Sequence, residues 1–226
     1  MKFKTNAFFL KILAIVTMVI DHMTLALSSF LSDKIYFLGR GIGRISFPIF
    51  AYLIAQGFYK TKNRKKYLFR LFLVGFISEV PFDLLVFNNF FDLSYNNVFW
   101  TLSLGLFSLM SYDWVLSYFS DKDIFLRNLL SFIPFIACLF VSHFLKSDYG
   151  AFGVALIFLF GQVYFRKDLY FIPGLLIFLH TPLAAFSMPF IVLDDHSMGR
   201  KIPKLITYGF YPFHIILGLI LRDFIF

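Results

Sequence analysis

Residues 7–31 read AFFLKILAIVTMVIDHMTLALSSFL, an apolar run whose only ionisable side chains are Lys11, Asp21 and His22. A run of roughly 18–20 apolar residues is long enough to cross a bilayer as a helix, whereas one of 10–14 suits a buried helix of a soluble core. Comparable runs recur at 36–59, 67–87, 98–118, 124–145, 150–165, 169–191 and 204–225. They predict an all-α, polytopic transmembrane helical bundle of about eight helices. A transmembrane β-barrel would instead show short alternating segments of about ten residues, and these runs are continuous.

Composition agrees with that reading. The chain has 226 residues, 59% hydrophobic and 15% charged, with 35 phenylalanines, against roughly 45–50% and 25% in soluble domains. No repeat, low-complexity tract or linker divides it, so residues 1–226 are expected to form one membrane domain. Lys2 and Lys4 before the first run resemble the start of a signal peptide. No small-residue cleavage site follows them, which predicts a retained first helix. Cys138 is the single cysteine, which excludes an intrachain disulfide and a clustered thiol metal site.

In a soluble protein a net charge of +8 would suggest nucleic acid; in a membrane protein it first reports topology. Residues 60–70 (KTKNRKKYLFR) carry six basic and no acidic residues, while 81–97 carry Asp83 and Asp92 and no basic one. Basic loops stay in the cytoplasm, so the first loop is expected inside and the second outside, in a multi-pass plasma-membrane protein with a cytoplasmic N-terminus. Arg166 and Lys167 fall inside on this count. The segment 194–204, with Arg200, Lys201 and Lys204, falls outside, against the rule. The count changes there if 169–191, which contains Pro173, Pro182 and Pro189, is not one simple span.

Ionisable groups inside a membrane are costly and mark candidate sites. Lys11 and His22 lie eleven residues apart on one helix face, about 16 Å along the axis; Lys11 also fits an interfacial lysine whose stem snorkels, and His22 a helix-packing hydrogen bond. By the predicted topology Asp21, His22, Arg44, Glu79, Asp83, Asn97 and Trp100 share the outer half of the membrane. Glu79 and Asp83, spaced i and i+4 around Pro81, are expected on one face. An ion pair of Arg44 with Asp21 or Glu79 that only locks the bundle is the structural alternative. Near the C-terminus, TYGFYPFH at 207–214 places Tyr211 and His214 on one face, with Pro212 opening the backbone. Tyr208 and Tyr211 also suit an interfacial aromatic belt. His143, His180 and His196 make no metal-ligand spacing, and no metal is expected.

Several of these stretches form a recognisable set: LKILAIVTMVIDHM (10–23), GRISFPIFAYLIAQGF (43–58), YLFRLFLVGFISEVPFD (67–83), NVFWTLSLGL (97–106), DYGAFG (148–153) and FYPFH (210–214). In this order, over most of the chain, they resemble the TraX family of integral-membrane proteins, known for a conjugative protein implicated in N-acetylation of pilin. The family is similar to a broader class of membrane acyltransferases that includes sugar O-acetyltransferases and the lysosomal heparan glucosaminide N-acetyltransferase. In many of the former the first helix carries a basic residue and a histidine separated by ten residues, as Lys11 and His22 are, although the usual basic residue is arginine. The chain departs from TraX relatives at 193–201, where LDDHSMGRK replaces a tyrosine–asparagine–glycine run.

The resemblance implies transfer of an acetyl group from cytoplasmic acetyl-CoA to an amine or hydroxyl of an extracytoplasmic acceptor, a pilin N-terminus or a cell-surface glycan. Lys11, Lys66 and Arg70 would hold the cofactor phosphates. His22, with Asp21, Glu79 and His214, would carry the chemistry, and Arg44, Asp83, Asn97, Trp100 and Tyr211 would line the substrate pocket. The lipid bilayer is the other partner, no nucleic acid is expected, and a homo-oligomer is compatible with the sequence. A transporter or channel and a non-catalytic assembly factor for a surface structure stay open as alternatives.

Overall fold

The computed structural model describes residues 4–225 apart from the side chains of Lys204 and Leu205. Lys2 and the side chain of Lys204, both counted among the basic groups above, lie outside the described residues. The regular structure is helical throughout. It comprises α1 (Ala7–Ala26), α2 (Asp33–Gly43), α3 (Ser46–Lys60), α4 (Arg64–Phe87), α5 (Val98–Tyr118), α6 (Ile124–Phe144), α7 (Gly150–Val163), α8 (Phe171–His180), α9 (Met188–Val192) and α10 (Lys204–Ile225).

Local chemistry sets many of the boundaries. Asn6, Asn63, Asn97 and Asp123 each cap a helix by accepting a backbone N–H of its first turn. Asn88 ends α4 in the left-handed conformation, φ 53°. The expected second helix over 36–59 is two, because Pro48 has no N–H to donate to the Arg44 carbonyl four residues back, where α2 passes into α3.

The pattern of burial is that of a protein solvated by lipid. α6 buries Ser131, Cys138 and Ser142 and turns Phe125, Ile133, Phe140 and Phe144 outward. In water that arrangement would be inside out; in hydrocarbon the small polar residues are the ones that must find partners within the bundle. Among the described residues, four helical units, Ala7–Ala26, Asp33–Lys60, Ile124–Phe144 and Ile206–Ile225, are long and apolar enough to cross a membrane.

The seventh expected helix, 169–191, is not a span. α8 is ten residues long, about 15 Å, and Thr181 at its end is extended, φ −148°, as the residue before Pro182 prefers. The chain then folds back through a 3-10 turn at Pro182–Ser187 and α9. It arrives beside the start of α1: Thr5 N–H donates to the Leu193 carbonyl (3.1 Å), Asp195 N–H to the Thr5 carbonyl (3.1 Å) and Ala7 N–H to the Ser197 carbonyl (2.9 Å). Residues 171–192 are therefore a re-entrant hairpin. α10 consequently runs parallel to α4, with Tyr208 next to Arg70 at one end and Arg222 donating to Asn88 (3.2 Å) at the other.

Segment 194–204 thus shares its face with Thr5, Lys60, Arg64 and Lys167, and the apparent exception to the charge rule disappears. We call this the basic face. The opposite face carries the ends of α1, α4 and α10 and the starts of α5 and α7. In oriented vesicles of a Cys138→Ala background, single cysteines at Ser197 and Lys62 are expected to react with an impermeant maleimide from the same side, and one at Asn89 from the other. Labelling of positions 197 and 89 from one side would restore the eight-crossing scheme.

Candidate active site

Two cavities enter the bundle from opposite faces. The first, about 360 Å³, opens on the basic face between Lys11, Arg70, Arg200 and Lys201 and extends along α1, α3, α4 and α10 to Met18, Phe99 and Tyr211. Its walls are mostly apolar, with charge confined to the end near the basic face. Arg70 sits over the rings of Tyr67 and Tyr208, 5.9 and 5.7 Å from their centroids.

Beyond Tyr211 lies a histidine pair. His22 Nδ1 is 2.7 Å from His214 Nε2, and the rings are parallel within 6°. His214 Nδ1 is 2.8 Å from the Phe210 carbonyl oxygen, which can only accept, so with both rings neutral Nδ1 of His214 carries its proton. His214 Nε2 then accepts from Nδ1–H of His22. The lone pair of His22 is thereby left on Nε2, the form in which a histidine takes up a proton. Tyr211 stands edge-on to both rings, centroids 5.6 and 5.5 Å away, and to Phe99 at 5.0 Å.

The second cavity, about 510 Å³ and more open, lies on the opposite face between Arg44, Tyr95, Ser147, Asp148, Tyr149 and the hairpin tip, His180 and Thr181. Arg44 reaches the Tyr149 hydroxyl at 3.4 Å, and the Tyr95 hydroxyl donates to Asp148 at 2.6 Å. Burial pushes the Asp148 carboxyl up from its usual range, a shift opposed by the Tyr95 hydroxyl and the Arg44 guanidinium. Tyr149 stacks on Phe47 (3.7 Å) and His180 on Phe152 (3.8 Å), so flat apolar surfaces adjoin a cation and an anion.

The expected site residues are therefore divided. Lys11, Arg70 and Tyr211 line the basic-face cavity, His22 and His214 sit behind its deep end, and Arg44 lines the opposite one. Lys66 is exposed on the first turn of α4, outside the cavity. The ion pair of Asp21 is with Arg40, at 2.8 Å, and not with Arg44 or Glu79. α1 and α2 touch at Gly39 and Gly43, where a Cβ would stand 2.2 Å from Thr24 Oγ1 and from Asp21 Oδ1. Arg40 lies within that contact, one turn before Arg44.

Glu79 and Asp83 do not share a site. Glu79 accepts from Trp100 Nε1 (2.7 Å), from Asn97 N–H (3.1 Å) and from the Asn97 side chain, joining α4 to α5. Asp83, fully buried, accepts Asp92 N–H at 2.9 Å and shapes the 88–97 loop. Glu79, Asp83, Asn97 and Trp100 line neither cavity.

Sequence reasoning missed Arg40, Asp148, and Arg200 with Lys201. For the first the signal was the repeated spacing GRGIGR. For the last pair it was the three prolines of the hairpin.

A polytopic helical membrane protein with a basic-mouthed cavity, a polar cavity on the opposite face and a histidine pair behind the deep end of the first is the class that fold and site define. The chain belongs to the TraX protein family, whose sequence profile matches residues 7–222. It is similar to "Probable fimbrial assembly protein FimC, serogroup H1" of Dichelobacter nodosus, 29% identical over 244 residues that cover 94% of this chain and 93% of that protein. No solved structure matches it.

The Asp21–Arg40 pair is only 15–22% exposed, so breaking it leaves a carboxylate poorly solvated. Arg40→Ala is expected to lower the thermal midpoint of the purified protein by several degrees, and the double variant Asp21→Asn/Arg40→Ala to recover part of the loss. Single and double variants melting together would remove the pair as a stabilising element.

Proposed function

We propose that the protein is a plasma-membrane acetyltransferase with a cytoplasmic N-terminus, taking the acetyl group from acetyl-CoA at the basic face and delivering it to an amine or hydroxyl presented at the opposite face. The observation that carries this reading is the basic-face cavity. Lys11, Arg70, Arg200 and Lys201 at its mouth suit the phosphates of coenzyme A, and its apolar walls suit the pantetheine arm. Its deep end adjoins the His22–His214 pair through Tyr211.

In the reaction, the acceptor nitrogen or oxygen attacks the thioester carbonyl carbon while its proton passes to His22 Nε2. The C–S bond then breaks, and the thiolate takes that proton, giving acetylated acceptor and free CoA. His214, held by the Phe210 carbonyl, keeps His22 in the tautomer that makes Nε2 the base. The opposite-face cavity, with Arg44, Asp148 and the Tyr149 ring, is the acceptor's entry. The family, and the fimbrial-assembly role in the relative's name, support a subunit of a surface appendage as acceptor.

The protein in nanodiscs, given radiolabelled acetyl-CoA and in parallel a peptide with a free N-terminus, an amino sugar and a hydroxyl-rich glycan, is expected to label one acceptor class. His22→Ala should lower the rate by about 10²–10⁴-fold. Arg200→Ala/Lys201→Ala should raise KM for acetyl-CoA with kcat nearly unchanged, since it removes ground-state attraction alone. Absence of both CoA binding and transfer to any acceptor would favour the non-catalytic assembly role that the relative's name also allows.

A further inference from the structure

Several buried side-chain oxygens and nitrogens have no hydrogen-bond partner, among them Asp21 Oδ1, Ser78 Oγ, Ser103 Oγ, Tyr164 Oη and Tyr211 Oη. Among the described residues, only Tyr211 in that group also lines one of the two cavities. It is 3% exposed and packed edge-on by Phe99, His22 and His214, so the ring is held from several sides while the hydroxyl has nothing to donate to. A buried donor left without an acceptor carries a desolvation penalty, which a ligand acceptor at the deep end of the cavity would remove. A phenol O–H is a hydrogen-bond donor at neutral pH.

We infer that the Tyr211 hydroxyl is a catalytic residue of this site, donating a hydrogen bond to the thioester carbonyl oxygen and stabilising the negative charge that oxygen acquires. The inference rests on the acetyl-transfer reading and deepens it. When the acceptor's lone pair forms the bond to the carbonyl carbon, the C=O π pair moves onto oxygen, where the Tyr211 O–H holds it. As the pair returns, the C–S bond breaks and the thiolate leaves with the proton carried by His22. The tyrosine proton is shared throughout and never transferred, so the balance is that of acceptor plus thioester giving amide or ester plus thiol. This division of labour matches the geometry. The imidazole next to the Tyr211 ring handles the acceptor's proton, while Tyr211, part of the cavity lining, offers its unpartnered hydroxyl to the carbonyl.

Tyr211→Phe removes one oxygen and keeps the packed ring. In nanodiscs its affinity for CoA, which has no acyl carbonyl, is expected to match wild type, which also reports an intact cavity. Its kcat for acetyl transfer should fall about 10²–10³-fold, as for loss of one oxyanion donor, with KM for acetyl-CoA within about threefold. The carbonyl stretch of [1-¹³C]acetyl-CoA bound without acceptor should lie at lower frequency in wild type than in Tyr211→Phe. Wild-type kcat and an unshifted carbonyl band in the variant would overturn the role of Tyr211 and leave acetyl transfer standing. Failure of wild type to bind acetyl-CoA at all would overturn both.

Discussion

Asp194 is fully buried at the basic end of the bundle, where its carboxylate accepts from the Tyr52 hydroxyl at 2.7 Å, the Gln56 amide at 2.9 Å and the His196 backbone N–H at 3.1 Å. The C-terminal third of the protein depends on this attachment. Tyr52 lies at the middle of α3 and Gln56 one turn nearer its end at the basic face, so a chain that satisfies Asp194 there has to come back to the face it left after α7. Lys167 reinforces the return by donating to the Val192 carbonyl (3.1 Å) and to that of Asp194. A carboxylate so placed cannot be left unpaired without a penalty of several kcal/mol. The hairpin therefore has one well-defined end point.

The rest follows from that end point. A hairpin that returns delivers Arg200 and Lys201 to the mouth of the basic-face cavity and starts α10 on the same side. Tyr208 is then beside Arg70, Tyr211 one turn deeper, and His214 level with His22. A seventh segment that crossed fully would reverse α10, send Tyr208 toward the opposite face and strip the cavity of two of the four cations at its mouth. The same polar contact thus sets the topology, the charge at the mouth of the basic-face cavity and the direction in which the FYPFH residues are stacked.

Much of this was legible in the sequence, and the reasons for the remainder are physical. The all-α bundle and most helix limits come from apolar run length and from the capping residues Asn6, Asn63, Asn97 and Asp123, which act within a few residues. His22 and His214 stand out singly because ionisable groups in lipid mark the interior, but their contact with each other is set by the direction of α10 and is not written in either helix. Helical spacing alone does not say which neighbour such a group selects. Glu79 and Asp83 share the i, i+4 relation, yet the start of α5 takes one and a loop nitrogen takes the other. Asp21 pairs with Arg40 because Gly39 and Gly43 let α2 approach α1 closely, a contact between helices that no single-helix pattern encodes. The hairpin was hidden for a different reason: 169–191 is apolar enough to pass for a span, and only its prolines mark the fold back.

The division of the interior into two cavities bears on the choice between chemistry and transport. A conduction path needs a polar route through the bundle, or a gate that opens one. Here the deep end of the basic-face cavity is closed by Phe99 and the Tyr211 ring, packed 5.0 Å apart and backed by the two imidazoles. Opening that closure would pull apart the contacts that hold His22 and His214 in register. On the acetyl-transfer reading no continuous pore is required, only contact between the acceptor's reacting atom and the thioester carbonyl beside His22. In that reading the nucleotide is held by the lysines and arginines at one face and the body of the acceptor by Arg44 and Asp148 at the other, so only the acceptor's reacting atom and the two-carbon acyl group have to meet between them. A thin, rigid aromatic layer holding a base then serves the reaction better than a pore would, because it orients the carbonyl while keeping water out of both approaches.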